Sequence, residues 1–154
     1  MLMKNELEEI NHLIEGEDRS SSKVSQKGVY WHTDHILKVI IGICHTLKKS
    51  DPETYQWSFN FWRLFVMTIE FFPRGRGKAP KRAMAEGVVS RDELLVQLKI
   101  AENLLESIKS LPAKSHFIHP YFGDLNLSTS QKFLKIHTRH HLKIISEITA
   151  SSSD

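Results

Sequence analysis

The last third of the chain holds two histidines whose spacing suits a metal site. His137 and His141 stand four residues apart, and Phe133 and Ile144 continue the same helical stripe. Because residues at i and i+4 share one helix face, with Cβ atoms about 5–6 Å apart, their ring nitrogens can converge on one ion. A buried neutral imidazole needs partners for both nitrogens, and a metal ion satisfies two acceptors together. The stripe therefore predicts that both rings face the core.

A structural role is the alternative interpretation of this pair. The spacing H-x-x-x-H also occurs by chance in helices, and a single buried histidine usually makes hydrogen bonds to a carbonyl or a carboxylate. His140 stands beside the stripe, and we expect it at the edge of the site, because one helix turn does not readily give three side chains to one ion. The spacing alone leaves metal binding and a structural cluster both open.

A further ligand has to come from another helix, and the segment YWHTDHILKVI supplies two candidates. His32 and His35 each stand one turn before an apolar residue of that helix. Both positions adjoin the apolar face, so either ring can reach the core. Cys44 is the only cysteine of the chain. It lies among aliphatic residues, which favours an inert buried thiol over a ligand or a nucleophile.

Three neutral imidazoles would leave a divalent ion with open positions for water or a substrate. Such a centre can lower the pKa of bound water to about 7, or bind a substrate thiol as its thiolate. This chemistry suits hydrolysis or thiol transfer, and ligation by histidine alone fits zinc, nickel or iron(II). Asp34, Glu70 and Asp124 are candidate carboxylates for orienting the rings.

The elements that position these residues are predicted to be helices, because strand signals are nearly absent. An opening helix ends at Gly16, and the polar linker after it is expected to be mobile. The next helix begins near Thr33 and ends around Lys49. Pro52 then opens a third helix over residues 52–72, whose aromatic side chains occupy nearly every face and predict that it is enclosed.

Two capping boxes predict where the last two helices begin. Ser90 and Glu93 have the S-x-x-E spacing, and Ser128 and Gln131 have the related S-x-x-Q spacing. We therefore predict an all-α fold: a four-helix bundle with a short extra N-terminal helix. The expected organisation is a single domain over residues 1–154. Residues 1–29 form the N-terminal helix and linker, 30–149 the bundle core, and 150–154 a disordered tail.

Composition restricts the class of protein and the compartment. The chain has 154 residues, 40% of them hydrophobic and 25% charged, which is typical of one globular domain. The net charge of +3 is too small to indicate a nucleic-acid partner. No apolar run approaches the roughly 20 residues of a membrane span, and the first residues lack the pattern of a secretory signal. We therefore expect a cytoplasmic protein without a membrane partner.

The segment PRGRGKAPKR contains five basic residues and no acid. A solvated loop is the simpler interpretation of such a segment. The alternative is that Arg74 and Arg76 bind an anionic group of a substrate, because guanidinium groups pair with carboxylate and phosphate.

The segments HPYFGDLNL and FLKIHTRHHLKII, together with an early helix that starts with a tryptophan and histidines, resemble the DinB/YfiT-like superfamily of metal-binding helical bundles. The resemblance extends from Tyr30 to Ile148 and is strongest to an uncharacterised branch with an HPYFG segment before the last helix. It implies a bundle in up-down-down-up order. It also implies a site for one divalent metal ion, formed by one histidine of an early helix with His137 and His141.

The resemblance also implies a function. Characterised members of the superfamily include thiol transferases acting on bacillithiol or mycothiol adducts and a mycothiol-dependent isomerase. We therefore expect a metal-dependent enzyme for thiol transfer or hydrolysis on a small molecule, such as a low-molecular-weight thiol. The alternative is a non-catalytic metal-binding or interaction bundle, with a homodimer as one possible assembly. Val39 occupies the family position of the first ligand, so His35, with His32 as the alternative, is the expected substitute.

Overall fold

A computed structural model describes residues 2–72 and 87–151, and this part of the chain is mostly helical. It contains the helices α1 (Lys4–Glu15), α2 (Val29–Lys49), α3 (Phe61–Ile69), α4 (Arg91–Ser107) and α5 (Leu127–Ser151), and the strands β1 (His116–His119) and β2 (Gly123–Asn126). Single 3₁₀ turns lie at Pro52–Thr54 and Ile108–Ser110. Arg74 and Arg76 lie outside the described residues.

Helices α1, α2, α4 and α5 share one hydrophobic core. Helix α2 packs against both α4 and α5, and α1 contacts all three. Leu7, Ile10 and Ile14 are fully buried because the short opening helix has one apolar face and turns it inward. The predicted helical fold is confirmed. The set of core helices differs from the expected one, since α1 belongs to the core; the up-down-down-up order stays a prediction.

The predicted helix over residues 52–72 is wrong in its extent and in its environment. Only residues 61–69 form a helix, because the Asn60 side chain accepts the Arg63 N–H at 2.8 Å and caps a new N-terminus there. Residues 55–60, between the 3₁₀ turn and this helix, have no regular secondary structure. The aromatic side chains are not enclosed: Trp57 is 70% exposed and Trp62 is 54% exposed. An apolar composition without one clear face did not indicate which side would be covered.

The HPYFG segment forms a hairpin that the sequence did not predict. Strands β1 and β2 are antiparallel, with His119 opposite Gly123. The His119 Nδ1 accepts the backbone N–H of Tyr121 at 3.1 Å and of Phe122 at 3.3 Å. Gly123 has φ of 68°, a left-handed conformation that glycine adopts without strain. Arg63 binds this hairpin by donating to the Phe122 carbonyl at 3.1 Å, which ties α3 to the turn.

The linker between α1 and α2 is held in place, contrary to the expected mobility. The Tyr30 hydroxyl donates to the carbonyls of Ile14 and Gly16, at 3.1 and 2.9 Å. The Asp18 carboxylate accepts the Tyr30 N–H at 2.9 Å. A Cβ at Gly28 would lie 2.9 Å from that carboxylate and 3.0 Å from the Arg19 carbonyl oxygen, so this close approach favours glycine. Tyr30 therefore fixes both ends of the linker.

Helix boundaries follow the predicted caps only in part. The capping box of Ser90 and Glu93 is confirmed, with both reciprocal hydrogen bonds present. The box at Ser128 is wrong, because Asn126 is the residue whose side chain accepts the Thr129 N–H, at 3.0 Å. Helix α2 begins at Val29, earlier than predicted, and α5 continues into the expected tail as far as residue 151.

Among residues 2–72 and 87–151, no helix combines the length and the apolar character that crossing a bilayer requires.

Candidate metal centre

Helices α2 and α5 bring three histidines together in the core. His35, His137 and His141 each offer a ring nitrogen, and these atoms lie within 4.8 Å of one another. The Nε2 atoms of His35 and His137 are 3.3 Å apart. A tetrahedral ion with bonds of about 2.0–2.1 Å holds its nitrogen ligands about 3.3–3.4 Å apart. This pair of nitrogens therefore has the separation of two ligands of one zinc-sized ion.

The protonation of these rings suits metal binding. Burial lowers the pKa of His137 well below its ordinary value, and the nearby His35 lowers it further. Burial also lowers the pKa of His141, with a further contribution from His137. Because an unpaired imidazolium is costly in a buried position, both rings are neutral at pH 7 and keep a lone pair for a ligand.

Aromatic rings hold the histidines from three directions. Trp31 is stacked on His35, with ring centroids 5.4 Å apart and planes 8° from parallel. Phe133 is stacked on His137 at 5.7 Å. Phe72 meets His137 edge to face at 6.4 Å. Such contacts restrict the side-chain rotamers, so the nitrogens are preorganised.

His32 lies at the edge of the three-histidine group. Its Nδ1 is 3.0 Å from the Nδ1 of His141, and its Nε2 is 3.0 Å from the Ser25 hydroxyl. The ring is buried, and burial lowers its pKa to about 4, with smaller contributions from His35 and His140. Of the two candidates that the sequence offered, His35 is in the group and His32 adjoins it.

His140 also lies beside the group. Its ring contacts His141 edge to face at 5.3 Å and Phe72 at 5.9 Å. It lines a surface cleft of about 490 Å³. The cleft has an apolar part at Phe71 and Phe72 and charges of both signs, which come from Glu70, Arg139, Lys143 and Glu147.

The three carboxylates proposed as orienting partners have other contacts. Asp34 is buried, pairs with Lys38 at 2.9 Å and accepts from the Gln97 amide at 2.8 Å. Glu70 pairs with Lys132 at 3.2 Å. The third, Asp124, accepts the backbone N–H of residue 56 at 3.3 Å. These contacts give the carboxylates structural roles between elements.

Sequence reasoning missed the contributions of Trp31 and His119. Trp31 precedes His35 by one helix turn, and this i, i+4 relation was the available signal for their stacking. His119 stacks on Phe122 at 4.4 Å, and burial lowers its pKa to about 4. Because it accepts two backbone N–H groups of the turn, its role is to hold the turn.

Cys44 is fully buried, and burial raises the pKa of its thiol to about 12, as expected for an inert thiol.

Fold and site together define a mostly helical protein with a largely buried three-histidine cluster that can hold a metal ion. Comparisons with protein-family models, with curated proteins and with solved structures found no match to this chain. The resemblance to the DinB/YfiT-like superfamily stays a prediction from the sequence motifs.

Proposed function

We propose that the protein is a metal-dependent enzyme of the DinB/YfiT-like type. In this proposal His35, His137 and His141 bind one divalent ion, zinc, nickel or iron(II), and the substrate is a small molecule such as a low-molecular-weight thiol. The observation that carries the proposal is the convergence of three ring nitrogens from two helices within 4.8 Å. If the i, i+4 pair on α5 had arisen by chance, there would be no reason for an imidazole of α2 to lie beside it.

The donor set fits the proposed ion. Burial lowers the pKa values of His137 and His141, so metal binding does not have to displace tightly held protons. When bound, such an ion acts as a Lewis acid that favours deprotonation of water or of a thiol. Both hydrolysis and thiol transfer need this assistance.

The cleft beside His140 is the proposed substrate site. Phe71 and Phe72 give it an apolar wall, and Lys143 adds a positive charge that can bind an anionic group, while Arg139 pairs with Glu6 at 2.8 Å. A small thiol that carries an anionic group matches this lining better than a purely apolar compound.

A non-catalytic binding protein is the second candidate. The observation that favours it is the exposed aromatic side of α3, which is typical of an interaction surface. In this case the histidine cluster would hold a structural ion or none.

The first experiment is elemental analysis of protein purified without added metal. We expect about one divalent ion per chain, and His35→Ala, His137→Ala and His141→Ala should each lower occupancy sharply while helical content is retained. His45→Ala is the matched control, because His45 is an exposed residue of α2. Full metal content in the double variant of His137 and His141 would contradict the proposed site.

A second experiment separates the enzyme from the binding protein. Metal-loaded protein is tested against a panel of thiol acceptors and esters, with and without a chelator. The enzyme hypothesis expects turnover that disappears with the chelator and returns with added metal. Metal-loaded protein that leaves the whole panel unchanged would favour the binding protein.

A further inference from the structure

A chain of three polar side chains runs from the linker to the histidine group. Ser25 lies in the linker, His32 in the first turn of α2 and His141 in α5. The Ser25 Oγ is 3.0 Å from the Nε2 of His32. The Nδ1 of His32 is 3.0 Å from the Nδ1 of His141. His32 is 5% exposed, so water does not readily replace either contact.

Metal binding would determine which way the hydrogen bonds in this chain point. Two facing Nδ1 atoms at 3.0 Å need one proton between them. If His32 donates it, the proton of neutral His141 must be on Nε2, and neither nitrogen of His141 is left for an ion. If His141 donates it, its Nε2 has a free lone pair. The Nε2–H of His32 then donates to Ser25.

We propose that His32 is a positioning residue that accepts the Nδ1–H of His141 and thereby presents the Nε2 of His141 to the metal ion. The inference rests on the proposed metal site. Ligating histidines usually donate their second N–H to such a partner, which fixes both the tautomer and the ring orientation. A second imidazole performs here the role that a carboxylate or carbonyl has in many metal sites. Ser25 completes the arrangement and couples it to the linker.

The test compares two substitutions at His32. His32→Leu removes the acceptor, while His32→Asn places an amide oxygen near the position of Nδ1. We expect zinc affinity, measured by competition with a chelator, to fall about 10–100-fold in His32→Leu and to recover in part in His32→Asn. Ser25→Ala should have a smaller effect in the same direction. His45→Leu, an exposed change on the same helix, should leave affinity unchanged.

Histidine nitrogen NMR of the zinc-loaded protein supplies the structural readout. The proposal expects a protonated Nδ1 and a zinc-bound Nε2 for His141. A zinc-bound Nδ1, or equal affinity of wild type and His32→Leu, would overturn it. The NMR result decides even if His32→Leu does not fold, because it uses the wild-type protein. Wild type that binds no zinc contradicts the metal site itself, and the two failures are therefore distinguishable.

A separate observation concerns the outer side of α3. We call Phe61, Trp62, Phe65 and Ile69 the aromatic surface. These side chains are 62%, 54%, 40% and 45% exposed. Their spacing places them on one side of the helix, and the opposite side buries Val66 and Met67. The rings of residues 61 and 65 are stacked at 6.4 Å. The aromatic surface is therefore an ordered apolar face without a partner among the described residues.

We infer that the aromatic surface binds the same surface of a second copy of this chain. Trp57 and Phe59, at 70% and 68% exposure, lie in the segment that leads into α3. Together these side chains offer on the order of 800 Å², about the area that each partner contributes to a stable interface. Residues close to the axis of a two-fold interface meet their own counterparts, so a charged residue there would repel itself. The four residues of the aromatic surface carry none, which suits self-association.

Sedimentation velocity over a range of concentrations tests this inference. Wild type should be a dimer at micromolar concentration, and the double variant Trp62→Ser, Phe65→Ser should be a monomer with unchanged helical content. Val96→Ser, Ile100→Ser is the matched control, because it removes two exposed apolar residues of α4. It should leave the dimer intact. A wild type that stays monomeric at 100-fold higher concentration overturns the inference, as does a monomer that binds phospholipid vesicles instead.

Discussion

Histidine nitrogens in the core of this protein face one another in pairs. The contacts are 3.3 Å between His35 and His137 and 3.0 Å between His32 and His141. Each facing pair can share only one proton, so protonating every ring would place like charges in contact. Burial and mutual repulsion act in the same direction, which is why the pKa values of His32, His137 and His141 are all lowered. A divalent ion would relieve the same crowding of lone pairs.

The thiol of Cys44 should be chemically silent in the folded protein. It is fully buried and its pKa is raised to about 12, so almost no reactive thiolate exists at pH 8. We expect Ellman's reagent to react with it only after denaturant is added. Thr46→Cys places a second thiol on an exposed position of the same helix and should add one fast-reacting group. Rapid reaction of the native wild-type thiol would contradict the packing of α2.

At the level of elements, the β1–β2 hairpin supports the site from a distance. Phe122 of the turn contacts Phe133 of α5 at 6.2 Å, and Phe133 stacks on His137 at 5.7 Å. His119 fixes the turn through its Nδ1 and lies over Phe122. The HPYFG segment is thus connected to the histidine group by packing.

His119 should therefore matter for stability more than for metal binding. His119→Ala removes the acceptor of two backbone N–H groups, and we expect a loss of about 1–2 kcal/mol in the free energy of unfolding. His119→Asn retains an acceptor and should recover part of it. Ile118→Ala, at an exposed position of the same strand, is the control. Urea unfolding and zinc competition measure the two properties. A loss of zinc affinity as large as that of His137→Ala would make His119 a ligand and refute its structural role.

Local signals predicted some elements well and others poorly. The capping box at Ser90 and the inward stripe on α5 were readable because side-chain spacing determines them directly. The start of α3 was not, because it depends on the Asn60 cap together with a hydrogen bond from Arg63 to a hairpin 59 residues further along the chain. The position of His32 relative to His141 depends on how α2 and α5 pack, which one sequence does not contain. The metal-site hypothesis needed only the spacing and the family pattern.

At the scale of the whole molecule, the histidine group joins parts of the chain that are far apart in sequence. The linker contributes Ser25, which is hydrogen-bonded to His32. Helix α2 contributes His32 and His35, and α5 contributes His137 and His141. The long-range contacts between these histidines form only when α2 and α5 are packed together. Ligand binding to the folded state adds to its stability by mass action, so a bound ion would strengthen all of these contacts together.

Acid should destabilise the metal-free protein in a defined pH range. The pKa values of His32 and His119 are lowered to about 4, and those of His137 and His141 are also lowered. In the unfolded chain a histidine titrates near about 6.5, so below that pH the unfolded state binds more protons. The stability that comes from keeping these histidines neutral is therefore fully present above about pH 7, and it is lost progressively as the pH falls toward about 4.

Urea unfolding midpoints between pH 8 and pH 5, measured with chelator, provide the test. We expect a plateau above about pH 7 and a steady fall below about pH 6.5. The variant His137→Phe should show a shallower fall because it removes one of the groups that binds protons on unfolding, while His45→Ala should follow wild type. With zinc, the midpoint should be higher at pH 7.5, and this increment should shrink at low pH because protons compete for the ligating nitrogens. A metal-free midpoint that stays constant or rises as the pH falls from 7 to 5 would mean that these histidines are not held neutral in the folded core.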